Sequence, residues 1–224
     1  MKTAPKRPKH KGSATLMKSP HLEKLTRTHI AFPLILFSVI SAILIYYGII
    51  EKGFQIPNMT LLFAGGFFLF TLVEYFTHRY LFHLPATSPK RENFVYTIHG
   101  VHHDYPKDKS RLAMPPLLSL ILATLFFLIF RSLMGDYSFG FLAGFLMGYT
   151  VYLAIHYSIH AFKVPGNFLK TLWHHHSIHH YREPDRAFGV SSPFWDMVFK
   201  TMPGKTLINE RESVGKNIDE ENPG

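Results

Sequence analysis

Long apolar runs separated by polar, basic stretches set the pattern of this chain. Residues 30–50, IAFPLILFSVISAILIYYGII, carry no charge, and residues 57–73, PNMTLLFAGGFFLFTLV, lead directly into Glu74 and His78. A third run covers 114–130, MPPLLSLILATLFFLIF, and a fourth 137–155, YSFGFLAGFLMGYTVYLAI. None shows the polar face at a 3.6-residue period that a buried helix of a soluble protein normally keeps. Crossing the hydrocarbon core takes roughly 17–25 residues, and all four runs meet that requirement. The pattern predicts an all-α integral membrane protein with four transmembrane helices, at about 30–50, 57–76, 114–134 and 137–157, and a cytosolic helical cap. The second and fourth helices are expected to continue past the bilayer into their histidines. The first run is long, begins near residue 30 and lacks a small-residue cleavage site, so it does not read as a signal peptide.

Basic residues orient this bundle. Eight Lys and Arg lie in residues 1–28, six in 77–112 and eight in 161–224, whereas the connectors between the paired spans hold only Lys52 and Arg131. The positive-inside rule then puts both termini and the central loop in the cytosol, in a bacterial plasma membrane or an endoplasmic reticulum. Three regions follow: a basic mobile N-terminal tail at 1–28, a membrane domain at 29–204 and a polar C-terminal tail at 205–224. The formal charge of +9 suits an anionic membrane surface. No aromatic residue is interleaved with the N-terminal charges, which argues against a nucleic-acid arm. The absence of cysteine excludes disulfides, thiolate zinc sites and iron–sulfur clusters.

The histidines are clustered. EYFTHRYLFH contributes His78 and His83, IHGVHHDYPKD contributes His99, His102 and His103, IHYSIH contributes His156 and His160, and HSIHH contributes His176, His179 and His180. Residues three and four apart share one face of a helix, so each of the last three clusters is expected to converge. His78 and His83 lie about 140° apart on an ideal helix, and a bend near Tyr80 to Phe82 is expected to reconcile them. Ten convergent imidazoles suit two metal ions with about five ligands each, since one tetrahedral zinc would leave most of them unused. Imidazole accepts zinc, copper, iron and nickel. Glu74, Asp185 and Asp196 are expected as outer partners that fix imidazole tautomers, Glu74 because it sits four residues before His78. His174 and His175 are ambiguous in register, while His10, His21 and His29 fall in the tail.

The order H-x-x-x-x-H, H-x-x-H-H, H-x-x-x-H, H-x-x-H-H resembles the fatty acid hydroxylase superfamily of membrane di-iron enzymes. The flanks HRYLFH, IHGVHHDYPKDKSRLAMPP and FGVSSPFWDMVF look most like its fatty acid 2-hydroxylase branch. The resemblance covers roughly residues 70–202. It implies metal ligands at His78, His83, His99, His102, His103, His156, His160, His176, His179 and His180, and two iron ions as cofactors. It also implies O2-dependent oxygen insertion at the carbon next to the acyl carbonyl, on sphingolipid or ceramide-type lipids. Some members carry a fused cytochrome b5 domain, and nothing here resembles its His-Pro-Gly-Gly segment. A separate electron donor, cytochrome b5-like or ferredoxin-like, is therefore expected.

An unactivated C–H bond resists acid–base chemistry, so the cofactor must carry the hard step while the protein aligns the lipid. Arg111, where the loop re-enters the membrane, is a candidate anchor for the substrate head group. Trp173, Tyr181 and Trp195 are candidate walls of an acyl entrance, although aromatics at a membrane interface are expected anyway. Two alternatives stand beside this reading. One is a sterol or carotenoid hydroxylase or desaturase on the same scaffold, and the other a non-oxidative membrane zinc protein. The zinc protein lacks the H-E-x-x-H of a metalloprotease, and its ligands cluster past the helix ends rather than at the bilayer midplane of a transporter.

Overall fold

The computed structural model describes residues 8–204, and among these there are helices and turns but no strand. The short α1 (Pro20–Leu25) precedes α2 (Ala31–Ile50) and α3 (Ile56–Phe76), which continues as a π-helical turn over Thr77–Phe82. The central loop holds α4 (Pro89–Val95), a second π turn (Tyr96–Gly100) and α5 (Val101–Asp104). Next come α6 (Pro116–Met134) and α7 (Ser138–Ala161), then α8 (Lys170–Tyr181) and α9 (Phe194–Val198).

Three helical stretches are long and apolar enough to cross a membrane: Ala31–Ile50, Ile56–Phe82 and Lys109–Ala161. The last contains both α6 and α7, separated by a tight turn at Gly135–Tyr137 where Gly135 takes a φ of 57° that favours glycine. Ring contacts between Phe130 and Phe141 (5.0 Å) and between Phe126 and Phe145 (4.7 Å) show that α6 and α7 run antiparallel. Helix α7 is the centre of the bundle and packs most extensively on α3, then on α2. Their shared core holds Phe37, Phe70, Phe130, Leu142, Phe145 and Leu146. The Ser41 hydroxyl donates to the Ala143 carbonyl at 2.8 Å, tying α2 to α7 through an atom already exposed by a small residue. Ile35, Val39 and Ile43 on α2, and Leu117, Ile121 and Leu128 on α6, point outward as bare apolar surface. That arrangement suits helices whose outer solvent is lipid.

The N-terminal segment, read from its composition as a tail, is docked where it is described. Lys9 N–H donates to the Asp104 carbonyl and Thr28 N–H to the Ser110 carbonyl. Ser13 bonds Asp108, and Arg111 reaches back to Glu23, Thr26 Oγ1 and the Ala14 carbonyl. The charges of this segment therefore serve specific ion pairs with the 104–111 loop as well as a membrane surface. The polar C-terminal tail at 205–224 lies outside the described residues.

Candidate metal centre

Ten histidines converge at one end of the bundle in two groups of five. His78, His83, His99, His103 and His179 form a first cage, and His102, His156, His160, His176 and His180 a second. Within each, the ligand nitrogens all lie within 4.8 Å of one another. The contacts run through Nε2: His78 to His99 at 3.2 Å and His83 to His179 at 3.1 Å in the first, His102 to His156 at 3.0 Å and His160 to His176 at 2.9 Å in the second. A proton can bridge one such pair, but it cannot reconcile five converging nitrogens. An ion with metal–nitrogen bonds of about 2.0–2.1 Å spans about 4 Å between opposite donors and fits a cage of this width.

The H-x-x-H-H segments do not each serve one cage. His99 and His103, four apart, enter the first cage while His102 between them enters the second; His176 and His180 enter the second while His179 enters the first. This interleaving places His103 and His180 in a shared wall, their rings stacked at 4.2 Å. The spacing of His78 and His83 is met by the π turn at 77–82 rather than by a bend. Its i→i+5 hydrogen bonding stacks residues five apart, which an α-helix would not do. The register question at 174–176 resolves by placement: His176 is in the second cage, while His175 Nε2 bonds Asp196 at 2.9 Å.

Backbone carbonyls fix the tautomers. His78 Nδ1 donates to the Phe188 carbonyl at 2.5 Å and His179 Nδ1 to the Arg186 carbonyl at 2.8 Å. A carbonyl only accepts, so these Nδ1 atoms carry the protons and both Nε2 lone pairs face the first cage. Between the two carbonyls sits Ala187, fully buried at a φ of 58°. That left-handed residue turns both oxygens toward the same cage, at a cost that the surrounding contacts must overcome. Neither carbonyl, nor Ala187, carries a side-chain signal that sequence reading registers.

The expected carboxylate partners act one step further out. Glu74 does not bond His78; its carboxylate accepts from Val190 N–H (2.8 Å), Ser191 N–H (3.0 Å) and the Ser191 hydroxyl (2.5 Å). Asp196, with no exposed surface, accepts from Phe188 N–H, Gly189 N–H, Thr201 Oγ1 and His175. Together they hold the 188–191 strip whose Phe188 carbonyl orients His78. Asp185 lies within electrostatic reach of His83. Arg111 differs from its expected role: its side chain is 4% exposed and engaged by Glu23, Asp108, Thr26 and Ala14, so it clamps the N-terminal segment and offers no free fork to a head group. Trp173 is packed with Ile159 and Val190 beside α8, and Trp195 donates to Thr71 on α3 at 2.9 Å. Tyr181 lies next to His180, with ring centroids 6.0 Å apart.

Removing the Glu74 carboxylate should loosen the strip without touching a cage nitrogen. Glu74→Ala is expected to weaken metal binding at the first cage about 10- to 100-fold, the usual effect of losing an outer partner. Glu74→Gln, which keeps one acceptor oxygen, should lose less. Competition with a chelator of known affinity measures both.

Burial keeps the cap imidazoles neutral, which is the ligating form. His83 is pushed down to about 4 by burial, against an upward pull from Asp185, and His103 to about 3 by burial and then by the His83 and His156 rings. Burial first, then neighbouring imidazoles, also hold His99, His102, His176 and His180 well below the ordinary histidine value. In the unfolded chain these rings take up protons below about pH 6.5, whereas the folded ones do not. The unfolded state then binds more protons, and stability falls with falling pH at up to about 1.4 kcal/mol per pH unit per such group. Metal-stripped protein in detergent should therefore unfold at a clearly lower temperature at pH 5.5 than at pH 7.5.

Apolar helices that close over two adjoining all-histidine cages define a membrane-type helical protein equipped to hold two metal ions. Comparison with known proteins makes the assignment definite. The chain belongs to the fatty acid hydroxylase family, whose pattern (described as "Fatty acid hydroxylase") matches residues 63–201. It is 38% identical over 204 residues to the ceramide very long chain fatty acid hydroxylase SCS7 of Saccharomyces cerevisiae, covering 88% of this chain and 52% of that protein. It is 35% identical over 163 residues to the dihydroceramide fatty acyl 2-hydroxylase FAH2 of Arabidopsis thaliana, covering 69% of this chain and 65% of that one. A solved structure described as full-length scs7p with only the hydroxylase domain visible superposes with a TM-score of 0.80 at 36% identity, over 88% of this chain and 76% of that chain. The chain thus spans about half the length of the yeast relative.

Proposed function

We propose that this protein is a membrane-bound di-iron monooxygenase that inserts one oxygen atom from O2 at carbon 2 of the fatty acyl chain of ceramide-type lipids. The observation that carries the reading is the pair of adjoining five-histidine cages, built by the segment that matches the family. The relatives' names specify ceramide or dihydroceramide acyl hydroxylation, which favours an acyl substrate over a sterol or a carotenoid. Iron in the cages, ligated by the ten histidines, supplies the reductive O2 chemistry that an unactivated C–H bond demands. Zinc fits the same donors and is the ion to expect as a contaminant of purified protein.

The chain's own residues contribute position and protection. Phe188 and Arg186 carbonyls hold His78 and His179 in the ligating tautomer, and Glu74 and Asp196 keep that strip in place. Phe82 stacks on His99, and Phe188 lies against His78 and His83, so apolar rings keep water from one side of the first cage. Incorporating one oxygen atom into the lipid reduces the other to water and consumes two electrons and two protons. A separate donor protein, cytochrome b5-like or ferredoxin-like, would deliver the electrons.

The topology follows from the same reading. A single straight helix over the 53 residues of Lys109–Ala161 would be about 80 Å long at 1.5 Å per residue, far more than a bilayer core. The turn at Gly135–Tyr137 instead supports two crossings, α6 and α7, for four in all. The basic segments then place the cages and both termini on the cytosolic side.

The test is lipid mass spectrometry on a host expressing the chain, beside a His179→Ala, His180→Ala variant that breaks both cages. Acyl chains should gain one oxygen, located at carbon 2 by fragmentation, only with the intact protein. An altered sterol or carotenoid pool with unchanged acyl chains would overturn the reading.

A further inference from the structure

A cavity of about 590 Å³ opens between the end of α7, the loop at residues 107–109 and α8. Its inner wall is formed by His160, His176 and His180, three of the five donors of the second cage. Lys107, Lys109 and Lys163 stand around it, all exposed, and no acidic side chain lines it. Lys107 is held in place there, donating to the His160 carbonyl at 2.8 Å. The remaining wall is largely apolar, with Ile159 and Trp173 inside and Phe162 and Val164 at 60% and 54% exposure.

This combination has a chemical preference. Three ammonium groups converging without a counter-ion on a partly apolar wall concentrate field lines and attract an anion. The adjoining cages add no compensating negative charge, since every one of their donors is a neutral imidazole. Lys109 precedes the apolar α6 and Lys163 follows α7, so both lie at the level where lipid head groups sit. The volume falls within the range of clefts that take a ligand of several heavy atoms. Oxygen insertion at carbon 2 also leaves only one bond between the reacting carbon and the acyl carbonyl carbon. A head group must then lie close beside the cages, and this cavity adjoins one of them.

We propose that this cavity binds the anionic head group, a carboxylate or a phosphate, of an acyl-chain amphiphile, and so selects charged over neutral lipids. That the amphiphile is the substrate rests on the 2-hydroxylation reading; the binding site itself does not. Lys109 and Lys163 supply the selective charge, while Trp173 and Ile159 contact the first carbons below the head.

Trp173 reports occupancy directly, because the chain has only one other tryptophan. Full-length Trp195→Phe protein in neutral detergent is titrated with three amphiphiles carrying a nitroxide quencher near the head: a long-chain fatty acid, a phosphorylated ceramide and an unmodified ceramide. At least one of the two anionic probes should quench Trp173 at about tenfold lower concentration than the neutral ceramide, and whichever does so identifies the anion. Replacing both lysines, Lys109→Ala with Lys163→Ala, should remove that preference, consistent with about 0.2–1 kcal/mol for each exposed charge pair. The corresponding pair of Lys→Arg changes should keep it, as should Lys200→Ala, whose position lies outside the cavity. Equal quenching by all three probes, or a preference that survives loss of both lysines, would overturn the proposal. If the preference is absent while acyl chains still gain a 2-hydroxyl in cells, the head-group site falls and the functional reading stands. The reverse result removes the reading and keeps the site.

Discussion

His99→Ala is expected to empty one metal site and His102→Ala the other, although only two residues separate them. His99 faces His78, His83, His103 and His179, whereas His102 faces His156, His160, His176 and His180. Each variant should therefore purify with about one ion fewer than the intact protein, and the two should lose different ions. Turnover should fall by well over a hundredfold in both, because even an outer partner is worth about 10- to 100-fold and these nitrogens face the ion itself. His21→Ala, in α1 and far along the chain, should keep both ions. Metal analysis of the purified variants reads the first effect, and product formation the second. A further consequence separates paired cages from one merged site. Combining His99→Ala with His103→Ala should add little to either alone, while combining His99→Ala with His102→Ala should remove both ions.

The second large effect lies in the bundle. A Cβ placed on Gly144 would lie 1.9 Å from the Phe63 carbonyl oxygen, and one on Gly66 would lie 1.8 Å from the Phe141 carbonyl oxygen. Both obstacles are backbone, so no side chain can swing aside, and α3 and α7 would have to move apart. Small residues that let helix backbones touch are the usual device for packing helices in lipid, where burial of apolar surface offers no gain. Gly144→Val is expected to cost about 3 kcal/mol or more, the upper end of overpacking, and to lower the unfolding temperature by about 6–12 °C. Because α3 carries His78 and α7 carries His156 and His160, separating them should also weaken metal binding in both cages. Gly166→Ala, with no atom within 4 Å of its new methyl, should change neither property.

The helical, lipid-facing character of the chain was legible because it depends on long apolar runs, a signal carried by single residues. The convergence of the ten histidines was legible for a related reason, since spacings of three and four on a helix fix a common face. Their division between two cages was not. Whether His102 joins His99 or crosses to His156 depends on which helix lies opposite, and that is set by the docking of α5 against α7 and α8. The His78 to His83 spacing carried a hint, for it fits no α-helix, but a bend and a π turn answer the same mismatch and only the folded chain chooses. Glu74 shows the limit of spacing alone. It sits four residues from His78, yet its carboxylate finds three donors on the 190–191 strip, a segment 116 and 117 positions away. Arg111 shows the same limit in reverse, since its partners Ala14, Glu23 and Thr26 belong to a segment whose composition reads as a tail.

The measurement that bears most directly on the central claim is incorporation from isotopically labelled oxygen gas. Purified protein loaded with iron and supplied with a reducing donor protein is given a ceramide-type lipid under 18O2, and the product is fragmented in the mass spectrometer. The account predicts one labelled oxygen atom per modified chain, on carbon 2 of the acyl group, with two electrons consumed for each. Label that appears only when the water is enriched, or oxygen found at another carbon of the lipid, would contradict it.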